Sequence, residues 1–95
     1  MEIKHIENDS RGAFIIRGED KKRVAEMTYS KAGESGIIID HTEVDDSLRG
    51  QEVGDGLLAE AVKFAREKGF KIYATCPFAL AKLQSNDDYA DVFGG

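Results

Sequence analysis

Hydrophobic and polar positions alternate with a period of two over much of the first half of the chain. In residues 22–30 the apolar positions Ala25, Met27 and Tyr29 are separated by single residues, a spacing typical of an antiparallel strand with one buried face. Turn-forming residues bound each such segment. Five segments of alternating or continuous apolar character are predicted as strands: residues 2–7, 13–17, 22–30, 36–44 and 70–75.

The period changes to that of a helix after residue 52. Val53, Leu57, Ala61 and Phe64 recur on one side of a helix predicted over residues 53–68. Gly69 is predicted to end it in a left-handed conformation. Pro77 is expected to open a second helix over residues 78–84, and residues 87–92 are predicted to add a short third helix.

The order of elements is therefore β-β-β-β-α-β-α, which predicts an α+β fold. A strand–helix–strand unit makes the fourth and fifth strands parallel, joined by a right-handed crossover. The other strands follow one another through short turns, so we expect a mostly antiparallel sheet of about five strands with helices packed on it. With 95 residues, one domain spanning residues 1–95 is expected.

Composition narrows the classes of function. The net charge of −5 argues against nonspecific nucleic-acid binding, which needs a basic surface. There is no apolar segment long enough for a membrane span and no signal peptide, so we expect no membrane association and a cytoplasmic location. Cys76, the only cysteine, lies far in sequence from His5 and His41, and we therefore predict no metal site.

A glycine-rich turn joins the fourth strand to the first helix. Residues 49–56 read Arg-Gly-Gln-Glu-Val-Gly-Asp-Gly, and a strand, a glycine-rich turn and a helix in this order are the layout of a phosphate-binding loop. The start of a helix offers unpaired N–H groups and about half a positive charge. Glycines would let that backbone approach a ligand closely. The alternative is a tight turn that binds nothing.

These residues resemble the GNAT (N-acetyltransferase) superfamily, whose motif Gln/Arg-x-x-Gly-x-Gly/Ala lies at such a turn. The motif is present as Gln51-Glu52-Val53-Gly54-Asp55-Gly56, and the resemblance covers residues 22–92. Cys76-Pro77-Phe78 after the fifth strand is similar to a short, single-domain group of the superfamily. Typical members carry one or two helices between the first two strands, where this chain has only residues 8–12. They also carry further C-terminal strands, which we do not expect in residues 1–95.

The resemblance implies acetyl-CoA as the cofactor. The pyrophosphate is expected on the glycine-rich turn, with Arg49 adding charge, and the pantetheine arm would pair like an added strand with the end of the fourth strand. The cofactor-binding residues that follow are Thr42, Glu43, Val44, Arg49, Gly50, Gln51, Glu52, Val53, Gly54, Asp55, Gly56 and Cys76.

Three residues are candidates for catalysis. His41 and Glu43 alternate at the end of the fourth strand, where a base would accept the proton of an amine. Cys76 ends the fifth strand before a helix, and it could carry the acetyl group covalently with His41 as its base, or be a small core residue. The N–H of Val44 is the candidate oxyanion donor, and Tyr89 is a candidate proton donor to the leaving thiolate.

The sequence therefore predicts an acetyl-CoA-dependent N-acetyltransferase that acts on an amine of an unidentified small molecule or protein. The negative net charge favours basic acceptors such as polyamines or lysine side chains. A non-catalytic coenzyme A or acetyl-CoA binding module is the alternative, favoured by the missing acceptor helices. A scaffold domain that binds nothing is a third. A monomer or weak homodimer is expected.

Overall fold

The first four strands follow one another directly along the chain, and the first long helix comes only after them. A computed structural model describes residues 2–95. The strands are β1 Lys4–Glu7, β2 Arg11–Arg17, β3 Arg23–Ala32, β4 Gly36–Val44 and β5 Lys71–Ala74. The helices are α1 Val53–Lys68 and α2 Pro77–Ser85, and the 3₁₀ turns are Asp46–Leu48 and Asp87–Tyr89.

The five strands form one sheet in the order β1-β2-β3-β4-β5. Pairs from β1 to β4 are antiparallel, whereas β4 and β5 are parallel. The parallel pair is joined by α1, because a parallel connection needs a crossover. This arrangement confirms the predicted fold class and the predicted parallel pair.

The predicted bounds of β4 and α1 agree with the structure. Gly69 takes the predicted left-handed conformation, with φ 72°, and its N–H bonds the carbonyl of Ala65. The predicted third helix over residues 87–92 was too long, because only the turn Asp87–Tyr89 forms. The chain after this turn instead runs along β5, where the Ile72 N–H donates to the Val92 carbonyl at 2.6 Å.

Both helices cover the same face of the sheet, called here the inner face. Phe14, Met27 and Ile39 from the strands share one buried cluster with Leu57 of α1 and Leu83 of α2. This cluster is the hydrophobic core, because it removes the largest side chains from water.

The opposite, outer face carries no helix in the described part of the chain. Its centre is still apolar, since Ala13 and Ile15 are 5% and 0% exposed and do not belong to the inner cluster. Residues Asn8 to Ser10 form a short turn that joins β1 to β2 directly. The outer face therefore has no helix over it among the described residues, although its central residues are buried. Across residues 2–95, no helix combines the length and the apolar character that crossing a membrane requires.

Candidate functional site

Strands β4 and β5 separate halfway along β4. Their pairing ends at Ile39 and Ala74, and the Ile39 carbonyl then accepts the N–H groups of both Thr75 and Cys76, at 2.9 and 3.2 Å. β4 continues to Val44, so its last residues have no strand neighbour on the β5 side among the residues described. The gap between the two strands is called the splay below.

The backbone of β4 presents hydrogen-bonding groups to the splay. The Asp45 N–H donates to the Val24 carbonyl at 2.7 Å, which directs residue 45 toward β3. Backbone groups alternate between the two edges of a strand, so those of Thr42 and Val44 point toward the splay. An extended ligand could therefore pair with this edge as an added strand.

A β-bulge in β4 decides which side chains face which side of the sheet. Tyr29 pairs with Ile39 and Thr28 pairs with His41, which leaves Asp40 as an extra residue. An extra residue reverses the alternation beyond it. Thr42 consequently faces the inner side, whereas His41 and Glu43 face the outer side.

On the inner side of the splay, Thr42 meets Cys76. The Thr42 Oγ1 and Cys76 Sγ atoms lie 3.3 Å apart, and either can be the donor. Cys76 is 5% exposed and is the N-cap residue of α2, without a side-chain cap bond, directly before Pro77. The thiol is thus held at the start of a helix and at the base of the splay.

On the outer side, His41 lies between two carboxylates. Its Nε2 atom is 3.2 Å from Glu43 and 4.0 Å from Glu26 of β3. The structure therefore brings His41 and Glu43 together as predicted, but it does not bring His41 to Cys76. The predicted Cys76–His41 pair is wrong, because the bulge at Asp40 places the two side chains on opposite faces of the sheet.

The same three outer residues are spaced like metal ligands. One ligand atom each from Glu26, His41 and Glu43 lies within 4.8 Å of the other two. The prediction of no metal site considered only histidine and cysteine and missed this group, whose glutamate on β3 is far in sequence from the other two.

His41 and Glu43 are 54% and 72% exposed at their side chains, which suits proton exchange with solvent.

A second polar group fixes the bulge itself. The Oδ1 atom of Asp40 accepts the hydroxyl of Thr28 at 2.5 Å, and its Oδ2 atom accepts that of Ser30 at 3.3 Å. The Arg11 guanidinium lies 3.0 Å from the same Oδ2 atom. Burial alone would raise the pKa of Asp40, but the hydrogen bonds from Thr28, Arg11 and Ser30 and the charge of Arg11 outweigh it, so the pKa is lowered. The carboxylate thus holds the extra residue on the outer face.

The glycine-rich turn leads into α1, whose N-terminus has no side-chain cap. Gly50 and Glu52 have φ values of 84° and 55°, and Glu52 is the N-cap of α1 without a side-chain cap bond. The Gln51 N–H donates to the Leu48 carbonyl, and the Gly56 N–H donates to the Glu52 carbonyl. The N–H groups of residues 52–55 have no intrahelical acceptor, so the set of available donors is narrower than the predicted residues 51–56.

The glycines of the turn have different roles. A Cβ atom on Gly54 would lie 2.8 Å from the Phe78 ring, whereas one on Gly56 would meet nothing nearer than 3.8 Å. A side chain at position 54 would therefore displace the Phe78 ring from its contact with α1.

Two basic side chains lie near the turn. Arg49 is 79% exposed and pairs with Asp46 at 2.6 Å. Lys82 of α2, which sequence reasoning missed, pairs with Asp55 at 3.1 Å. Tyr89 lines a depression of about 220 Å³ with Asp55 and Lys82. This position places it beside the first turn of α1.

The remaining histidine is far from these groups in the fold. His5 of β1 stacks on Phe14 at 4.3 Å and shares a 2.6 Å hydrogen bond with the Tyr29 hydroxyl. Burial is the largest cause that lowers the pKa of His5 and raises that of Tyr29 to about 12. These two residues are part of the aromatic packing against Phe64.

Comparison with known proteins places this geometry in a family. A family model described as GCN5-related N-acetyl-transferase matches residues 13–92. Protein NATD1 of Danio rerio is 32% identical over 82 residues, covering 85% of this chain and 74% of the relative. Protein NATD1 of Homo sapiens is 28% identical with coverage of 85% and 73%.

Two solved structures are similar in fold. A GCN5-like protein from Staphylococcus aureus, solved by NMR, is 44% identical with a TM-score of 0.79, covering 99% of this chain and 88% of the other. An aminoglycoside 6'-N-acetyltransferase solved with coenzyme A is 22% identical with a TM-score of 0.59, covering 70% of this chain and 38% of the other. The second likeness is one of fold alone.

Proposed function

The chain belongs to the GCN5-related N-acetyltransferase family, and from this membership we propose that it binds acetyl-CoA in the splay and transfers the acetyl group to an amine. The proposal depends on one observation above all. β4 and β5 stop pairing at Ile39 and Ala74, and the uncapped start of α1 at Glu52 meets the helix that follows β5 through Gly54 and Phe78. One extended ligand with an anionic end can use both features.

The cofactor's pyrophosphate would lie at the start of α1. The N–H groups of residues 52–55 can donate to an anion without rearrangement, and the helix dipole favours its negative charge. Lys82 lies close enough to pair with Asp55 and would supply a positive charge beside the phosphates. Arg49 is held by Asp46 only through an exposed ion pair, which is weak and can exchange partners.

The pantetheine arm would pair with the free edge of β4. The backbone groups of Thr42 and Val44 point into the splay, and the Val44 N–H would donate to the thioester oxygen as negative charge develops on it. This placement sets the thioester between the inner pair Thr42–Cys76 and the outer pair His41–Glu43.

Direct transfer would use the outer group as the base. A neutral amine nitrogen attacks the thioester carbon and forms the C–N bond, while the C–S bond breaks and coenzyme A leaves as the thiolate. The proton lost from the amine passes to His41 or Glu43, and the thiolate takes a proton from the site or from solvent. The exposure of these two side chains gives the amine access from the outer face.

A covalent route would use the inner group instead. The Cys76 sulfur would attack the thioester carbon as the C–S bond to coenzyme A breaks, and the thiol proton would pass to the departing coenzyme A thiolate. The amine would then attack the acetylated Cys76, the bond to its sulfur would break, and the amine proton would return to that sulfur. The position of Cys76 beside Thr42 at the base of the splay supports this route. The hydroxyl of Thr42 is its nearest polar partner.

A non-catalytic coenzyme A binding module is the second candidate. The bare outer face favours it, because no helix in the described residues encloses an acceptor there. Two measurements separate the candidates: amide chemical shifts of residues 52–55 during titration with coenzyme A, and thiol release from acetyl-CoA with a panel of amines. Shift changes with amine-dependent thiol release support the transferase, and shift changes alone support the module. Unmoved amide resonances would exclude both.

A further inference from the structure

We propose that His41, Glu43 and Glu26 on the outer face form a binding site for a zinc ion, and that zinc bound there blocks acetyl transfer. The second half of this inference rests on the proposed function, since it names a way to regulate the same group of residues. The first half does not, because it depends only on the side chains that β3 and β4 bring together.

The three side chains are spaced as ligands of a single ion. The His41 Nε2 atom lies 3.2 Å from a Glu43 oxygen and 4.0 Å from a Glu26 oxygen, and the three ligand atoms all lie within 4.8 Å of one another. Ligands around a tetrahedral zinc ion, with bonds of roughly 2.0–2.2 Å, stand about 3.3–3.6 Å apart. His41 and Glu43 already have nearly this spacing, and Glu26 has to approach by about 1 Å.

The register of β3 and β4 gives a second and separate reason to expect a cation. Glu26 and Glu43 lie directly opposite each other in this antiparallel pair, and like charges in that position destabilise a sheet. In residues 2–95, Arg23 is the one lysine or arginine that pairs with either carboxylate, at 3.4 Å from Glu26. That pair is exposed and contributes little. A divalent cation between the two carboxylates would therefore relieve a repulsion that Arg23 only partly offsets.

The mixture of one imidazole and two carboxylates selects the kind of ion. Magnesium and calcium take oxygen ligands, whereas an imidazole ligand suits zinc and its neighbours among the transition metals. Three protein ligands leave one position of a tetrahedral zinc ion for water. Because the ligands come from two paired strands, their backbone positions are fixed before the ion binds.

A zinc ion in this position would bind the groups that serve as the base in direct transfer. Coordination uses the lone pair of His41 Nε2 and a carboxylate oxygen of Glu43, so these atoms could no longer accept the proton of an attacking amine. Glu26 is a ligand of the ion but not a member of the proposed base. Its substitution therefore separates zinc binding from the transfer step.

The binding test needs neither coenzyme A nor turnover. Calorimetry of the untagged full chain with zinc chloride should show one ion per chain, and magnesium chloride should show no binding. His41→Ala and Glu26→Gln should each weaken zinc binding by about tenfold or more, because loss of a group that only supports a metal ligand already costs roughly 10–100-fold. Glu34→Gln, at an exposed turn at the other end of β4, is the matched control and should keep the wild-type affinity.

NMR spectra of the two histidine rings locate the ion within the chain. His41 and His5 are the only histidines, and His5 is held in the aromatic packing by its hydrogen bond to Tyr29. Zinc should shift the ring resonances of His41 and leave those of His5 in place.

Thiol release from acetyl-CoA with an amine acceptor tests the regulatory half. Zinc should slow the release by the wild type, and a chelator should restore it. Glu26→Gln keeps both members of the proposed base, so it should remain active and should need about tenfold more zinc for the same inhibition.

Absence of zinc binding, or binding that His41→Ala and Glu26→Gln leave unchanged, would overturn the proposed site. Zinc that binds there without slowing thiol release, or that inhibits Glu26→Gln and the wild type equally, would overturn the regulatory role. A chain that does not bind coenzyme A would contradict the proposed function instead, and the zinc titration would still decide whether the ion site exists.

Discussion

The Phe78 ring of α2 packs against the backbone of Gly54 in the first turn of α1, where a Cβ atom would lie 2.8 Å from the ring. The glycine motif was expected to open the turn to a phosphate. The structure shows that its first glycine also allows the two helices to touch. This contact positions α2, which carries Lys82 toward the same turn.

Gly54→Ala is therefore expected to destabilise the protein by about 1–3 kcal/mol, as overpacking does. The matched control is Gly56→Ala, since position 56 has room for a methyl group and alanine favours a helix over glycine by about 1 kcal/mol. Urea unfolding of both variants measures the difference. Equal stabilities would contradict the packing role.

The double variant Phe78→Leu/Gly54→Ala tests whether Gly54 is needed for helix packing or for the ligand. The smaller leucine side chain should leave room for the methyl group that Gly54→Ala adds, so the double variant should keep its affinity for coenzyme A. If affinity is still lost in that background, the glycine is needed by the ligand itself.

Local features of this site could be predicted from the sequence. The strand, the glycine-rich turn and α1 follow one another without interruption, and their signals are apolar periodicity, glycine and helix termini, all of which act over a few residues. The bounds of α1 and its end at Gly69 agree with the structure for that reason.

The faces of β4 could not be predicted in the same way. Simple alternation from Ile39 places His41 and Glu43 on the inner face, toward Cys76. The bulge at Asp40 reverses this, and it depends on contacts with Thr28 and Arg11 from other strands. Lys82 was missed for a similar reason, because its proximity to Asp55 arises only when α2 packs on α1.

Cys76→Ala is expected to keep coenzyme A binding, because the backbone of β4 and of the glycine-rich turn makes the proposed contacts. Intact mass after incubation with acetyl-CoA distinguishes the two routes. In the covalent route the wild type gains one acetyl group and the variant gains none. In the direct route neither is acetylated at residue 76, and transfer to the amine continues in the variant. Thr42→Val is the companion variant, since it removes the thiol's polar partner and keeps the thiol.

Removal of the outer base is expected to slow transfer without weakening cofactor binding. We predict that His41→Ala or Glu43→Gln lowers kcat by roughly 10²-fold or more, the range that a positioned base contributes. Thiol release with an amine acceptor measures the rate, and calorimetry with coenzyme A measures binding. Glu34→Gln, at an exposed turn distant from the splay, is the control. An unchanged kcat in both variants would remove these residues from the mechanism.

Stability should fall on acidification through Asp40. Its pKa is lowered from the ordinary value of 3.8, so the folded carboxyl releases its proton at a lower pH than the unfolded one does. The contribution is fully present above about pH 4 and is lost as the pH falls through the folded pKa. Asp40→Asn should flatten this part of the profile of Tm against pH. An Asp40→Asn profile parallel to that of the wild type would show that the carboxylate does not stabilise the bulge.

Lys82 and Asp55 should affect cofactor affinity in opposite directions. Their side chains pair at 3.1 Å and are 46% and 42% exposed, so the pair itself contributes little stability. If the phosphates bind at the start of α1, Lys82→Gln removes an attractive charge and should weaken coenzyme A binding, by about tenfold for a charge-assisted contact. Asp55→Asn removes a repulsive charge that also competes for the lysine, and it should strengthen binding.

The salt dependence checks that the cause is electrostatic, because both effects should shrink as salt screens exposed charges. The matched control is Lys63→Gln, an exposed lysine farther along α1, which should leave the affinity unchanged. If Lys82→Gln and Asp55→Asn changed affinity in the same direction, they would be acting through the packing of α1 on α2 and not through charge at the phosphates.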